Sequence, residues 1–123
     1  MVALNHTIVH VRDKERSAHF LAELLGLSQP KLWGPFAVVT LTDGVSLDYA
    51  DDAHPQVTHY AFLVDDDEFD AIFGRIRGRG LEFWADPGKR EPGQINTHFG
   101  GRGVYWCDPD GHILEIMTRP HEA

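Results

Sequence analysis

Residues 101–118 read GRGVYWCDPDGHILEIMT. An apolar and aromatic run, 103–107, breaks at Asp110-Gly111 and resumes from His112 to Met117, the pattern of two strands joined by a tight turn. The same arrangement occurs earlier in the chain, where Phe36 to Leu41 turns at Asp43-Gly44 into Val45 to Tyr49. Working outward from each pair, the preceding segments match as well. Residues 4–11 (LNHTIVHV) are strand-like; Asp13 then offers an N-cap to a helix whose Leu21, Leu24 and Leu25 sit at helical spacing, with Gly26 as its stop. Residues 57–64 (VTHYAFLV) are strand-like again, Asp65 or Asp66 caps, and Phe69, Ile72, Phe73 and Ile76 follow at i, i+3, i+4 and i+7 up to Gly78 or Gly80. Each half thus reads strand, helix, strand, strand, strand. The polar stretch 50–56 (ADDAHPQ) joins them. The expected fold class is α+β, with two tandem βαβββ modules, 1–52 and 53–123, in a single domain spanning 1–123.

Composition narrows the function classes. A chain of 123 residues with 42% hydrophobic content can bury a core without disulfides. One cysteine, Cys107, excludes an internal disulfide and a cysteine-rich zinc module. The apolar runs are too short to span a bilayer, and the N-terminus lacks a basic segment followed by an apolar stretch, so a cytoplasmic location is expected. A formal net charge of -8 disfavours nucleic acid and anionic membrane surfaces as partners. A small-molecule substrate is the expected partner.

Eight histidines stand out, and the repeat sorts them. Aligning the two halves sets His6 opposite His59 and Asp48 opposite Glu115. Alternation in a strand puts each of these on one face with apolar or small neighbours: His6 with Ile8, Asp48 with Ser46, His59 with Ala61, Glu115 with Ile113 and Met117. Taken singly, a buried histidine is more often a hydrogen-bonded core residue, and a carboxylate at a strand end often sits in solvent. Two imidazoles and two carboxylates on equivalent strands instead suggest one site for a borderline divalent ion: iron, manganese, nickel, zinc or cobalt.

The segments LNHTIVHVRDKERSAHFLAELLGL, THYAFLVDD and GRGVYWCDPDGHILEIMT, in that order, resemble the vicinal oxygen chelate superfamily, which includes glyoxalase I, extradiol dioxygenases, fosfomycin-modifying transferases and bleomycin-binding resistance proteins. The resemblance implies sheets curled around a cavity and a homodimer whose sites draw ligands from both subunits. It also implies a metal held by His6, His59 and Glu115, with Asp48 in the place of the fourth ligand of glyoxalase I. The implied chemistry is chelation of a small oxygen-rich substrate and stabilisation of developing negative charge, by a lyase, an isomerase or an extradiol-type dioxygenase. The alternative is metal-independent sequestration of a drug or metabolite, as in the bleomycin-binding branch.

Catalytic roles divide by reaction. In a glyoxalase-type isomerisation Glu115 or Asp48 would serve as base; His10 and Asp51-Asp52 replace positions associated there with glutathione. Tyr105, ten residues before Glu115, matches a tyrosine of the extradiol enzymes. The fosfomycin branch shares the motif DPDGH but not the loop INTHFGGRG. The segment 85–102 (ADPGKREPGQINTHFGGR) has no periodicity and is expected to be a lid, in which Asn96 and His98 would touch substrate and His98 would carry protons. Trp33, Phe36 and Tyr105 are expected to line the substrate pocket.

Overall fold

The computed structural model describes residues 1–123 and divides them into two compact units, Met1–Gln56 and Val57–Ala123. The first contains β1 (His6–Val11), α1 (Lys14–Leu25), β2 (Lys31–Trp33), β3 (Phe36–Thr40) and β4 (Ser46–Asp51); its mixed sheet runs β1-β4-β3-β2. The second contains β5 (His59–Leu63), α2 (Asp66–Gly78), a 3-10 turn at His98–Gly100, β6 (Gly103–Cys107) and β7 (Ile113–Met117), with sheet order β5-β7-β6.

Local chemistry accounts for the element ends. Asp13 caps α1 by accepting the Arg16 amide, and Gly26 closes it in the left-handed conformation at φ 71°. Asp65 and Glu68 cap α2 reciprocally, each side chain taking the other's backbone N–H. Past its last turn, Gly80 takes φ 67° while Leu81 N–H reaches back to the Ile76 carbonyl. The division falls after Gln56 because Asp52 N–H is tied to the Val11 carbonyl and His54 N–H to the Asp52 carboxylate, which keeps this part of the linker with the first unit.

Each unit buries apolar residues of one sheet face and of its helix, and α1 packs on β1, β3 and β4 of the first. Val9, Val11, Leu47, Tyr49, Ala37 and Val39 are buried in the first unit, with Leu21 and Leu24 of α1. Phe62, Leu114, Ile116, Val104 and Trp106 are buried in the second, with Phe69, Ile72 and Ile76 of α2. Alternation leaves the opposite face to the candidate site residues.

The expectation of three strands after the second helix needs correction. Where the first unit has β2, the second has isolated bridges from Trp84 to Pro92 and Tyr105, and another from Asn96 to Gly103. Pro92 and the glycines on either side of it do not sustain a ladder, so pairing is reduced to single residues.

Candidate metal centre

The two units share one register. In the first, parallel β1 and β4 pair His6 with Ser46 and Ile8 with Asp48; in the second, parallel β5 and β7 pair His59 with Ile113 and Ala61 with Glu115. In both, a histidine on the first strand lies beside the residue two before the carboxylate. The equivalence inferred from sequence alignment of the halves is therefore also one of backbone pairing.

The side chains use that equivalence differently. Glu115 is buried and approaches the half-exposed His59, with Oε1 3.1 Å from Nε2. His59 Nδ1 lies 3.0 Å from the Ile113 carbonyl oxygen. A neutral imidazole has one N–H, and here two acceptors face its two nitrogens. Both can only accept, so a neutral ring satisfies one of them and turns a lone pair toward the other. A cation resolves that opposition, either a second proton on the ring or a metal ion. Metal-binding histidines commonly have the ring nitrogen that does not hold the metal oriented by a backbone carbonyl.

Asp48 is buried and accepts a 2.8 Å hydrogen bond from the Ser46 hydroxyl, while the exposed His6 contacts the Asn5 side chain at 2.7 Å. Within neither unit do three His, Cys, Asp or Glu side chains gather around a point that would hold a metal. The donors fit a borderline divalent ion by type.

Around Glu115 the second unit forms a cleft of about 130 Å³ whose walls include Asn96, His98, Tyr105, Met117 and Arg119. Tyr105 stacks on His59, centroids 5.9 Å apart, and hydrogen-bonds Glu115. Burial raises the tyrosine's pKa far above its ordinary value, and the Glu115 charge and hydrogen bond push the same way. The hydroxyl accordingly stays protonated and donates. Asn96 lines the cleft, yet its amide donates to the Ala85 carbonyl and its Oδ1 accepts the His98 amide, so it also organises the loop. His98 is exposed on the cleft wall. Of the segment expected to be a lid, residues 96, 98, 99 and 102 line the cleft, whereas 86–91 folds on itself around the Asp86 carboxylate. Trp33 and Phe36 pair in the first unit, centroids 6.5 Å apart, with Trp33 exposed.

Sequence reasoning missed Arg102, Phe99, Met117, Arg119 and His121, all of which line this cleft. The signal was available in part: Glu115 and Met117 are alternate residues of β7, and Arg119 and His121 follow within four residues of its end. His112, left unassigned by sequence, is 1% exposed and receives the Thr58 amide at Nδ1, 3.0 Å away.

Residues 3–116 match the model of the Glyoxalase/Bleomycin resistance protein/Dioxygenase superfamily. Among curated proteins the chain is 35% identical over 122 residues to the glutathione transferase FosA of Serratia marcescens, covering 93% of this chain and 79% of that one. Among solved structures it is 61% identical to the oxidase ChaP-H1, TM-score 0.96, over 100% of both chains. It is 56% identical to the oxidase ChaP-H2, TM-score 0.95, over 99% of this chain and 97% of that one. With register, ligand-type residues and family match in agreement, the chain belongs to the Glyoxalase/Bleomycin resistance protein/Dioxygenase superfamily, the vicinal oxygen chelate fold.

Proposed function

We propose that this chain is one protomer of a homodimeric, divalent-metal-dependent oxidase acting on a small oxygen-rich molecule. His59 and Glu115 supply one half of the metal site, and His6 of the partner subunit, with Asp48 on the adjacent β4, supplies the other. The observation that carries the reading is the His59 ring, fixed through Nδ1 by a backbone carbonyl and facing the Glu115 carboxylate at 3.1 Å. Oxidation is favoured over isomerisation or thiol transfer because the relatives at 61% and 56% identity, matched over essentially their whole length, are named oxidases.

His6, His59 and Glu115, with Asp48, would hold a borderline divalent ion such as iron, which would supply Lewis-acid and redox chemistry to substrate oxygens. The chain's own residues prepare that centre. Tyr105 holds Glu115 in place through its hydroxyl proton and covers the His59 ring. His98 stands on the cleft wall where it can take the proton of a substrate hydroxyl as the oxygen engages. Asn96 fixes the backbone that carries His98.

The test is metal analysis of the wild type, His6→Ala and His59→Ala after loading and dialysis, together with a refolded mixture of the two variants. The wild type should retain near-stoichiometric metal and each variant should lose it. The mixture should regain about one quarter of the sites, since half of randomly paired dimers hold one intact site of two. An empty mixture would place the ligands within one chain. A wild type that takes up no metal would return the metal-free sequestering alternative. Oxygen uptake by the iron-loaded protein with a catechol-type probe should accompany occupancy; its absence would refute the oxidase reading.

A further inference from the structure

Two arginines line the cleft that ends on Glu115, and they are not equivalent. Arg102 is committed: its guanidinium bonds Asp70 at 2.7 Å and Asp66 at 3.1 Å, and it lies 4.4 Å from the centre of the Phe69 ring. Arg119 has no carboxylate partner. Its stem is nevertheless positioned, because it crosses the backbone of Gly101 so closely that a Cβ there would stand 2.6 Å from Arg119 Cγ and 2.6 Å from the Thr118 hydroxyl. Gly101 has φ -118°, open to any residue, so what the glycine provides at this position is space rather than conformational freedom.

From these observations we infer that Arg119 is the anchor for an anionic group of the substrate, which makes the substrate an aromatic or enolic diol bearing a carboxylate or equivalent oxyanion. The inference rests on the metal-dependent reading of the same cleft. In a chain of net charge -8, an unpaired guanidinium held beside a carboxylate-bearing cleft is a selective feature of the local field. Four residues separate Glu115 from Arg119, a span of at most about 13 Å at roughly 3.3 Å per residue and shorter here because the chain bends at Thr118 and Arg119. A ligand whose chelating oxygens and anionic group lie at opposite ends of one ring or short conjugated unit spans that interval once both side chains reach inward. The fork of the guanidinium suits a bidentate carboxylate.

The test uses two catechol acids, protocatechuate and caffeate, each against its methyl ester, titrated calorimetrically into the metal-loaded full-length protein. At least one acid should bind about tenfold tighter than its ester, the size of one charge-assisted hydrogen bond. Arg119→Met should remove that preference while leaving ester affinity and metal content unchanged; Arg119→Lys should restore part of it. Gly101→Ala, which displaces the stem without removing the charge, should reduce the preference as well. Acids and esters bound equally by the wild type would overturn the inference while leaving the metal site standing. So would an Arg119→Met variant that weakens both alike. Binding of neither acid nor ester to a metal-loaded protein would overturn the inference together with the chelating function, and failure to load metal would overturn the metal-dependent reading on which both rest.

Discussion

Replacing Glu115 by Gln separates the metal site from the fold. The carboxylate is buried, 8% exposed, between the His59 ring and the Tyr105 hydroxyl. Glutamine has the same shape; its carbonyl can accept the tyrosine proton and its amide can donate to the His59 Nε2 lone pair. The metal-free variant should therefore lie within about 1 kcal/mol of the wild type, as for substitutions that leave no buried group unpaired. For 123 residues the unfolding entropy makes 1 kcal/mol worth about 4 °C in Tm. Metal affinity behaves differently. Loss of an outer-shell partner costs about 10–100-fold, so removing the charged ligand itself should cost at least about 100-fold. At a metal concentration 100 times the wild-type Kd, binding stabilises the wild type by about 2.7 kcal/mol and the variant by about 0.4 kcal/mol. Thermal unfolding with and without metal should then show shifts of about 10 °C and about 2 °C. An equal metal-induced shift in both proteins would refute the assignment of Glu115 as a ligand. A metal-free variant that melts more than about 10 °C lower would instead make Glu115 a structural residue.

Two further outcomes test the second unit. His112→Ala should cost about 3 kcal/mol, because it opens a cavity at a fully enclosed ring and strands the Thr58 amide; chemical denaturation showing a loss under about 1 kcal/mol would contradict this. Burial holds the Asp108 carboxyl above its ordinary value of 3.8, outweighing the amide hydrogen bonds from His112 and Asp110. Its ionised form therefore disfavours the fold, a penalty absent below the ordinary value and complete once pH has risen through the raised one. Asp108→Asn, which keeps the acceptor, should be more stable than wild type at neutral pH, with the gap closing as pH falls below that range. A gap that does not change with pH would refute the cause.

The features readable from the chain were those set by short-range chemistry. Asp13, Gly26 and Asp65 terminate helices by bonding to residues a few positions away, and the two Asp-Gly turns close hairpins in unbroken antiparallel register. The repeat was legible because both halves run strand, capped helix and Asp-Gly hairpin in the same order, with a histidine on the first strand and a carboxylate on the last. Trp84 was not, since its partners Tyr105 and Pro92 are single residues and leave no period. The burial of His112 was not legible because only the β5–β7 register brings Thr58 against it. Arg119 escaped notice because it lies past the end of β7, where the chain bends at Thr118 and Arg119 and no strand period marks which side it lines.

The single-residue bridges on β6 have a consequence for assembly. Gly103 and Tyr105 exchange both backbone hydrogen bonds with Asn96 and Trp84 respectively, so the outer side of β6 is already satisfied from Gly103 to Tyr105. Satisfied edges do not recruit strands. Growth of this three-stranded sheet, whether by a fused peptide or by misassembly at high concentration, is thereby directed to its other margin, β5. That margin carries His59, so a foreign strand added there would occlude the ligand face before it disturbed the core.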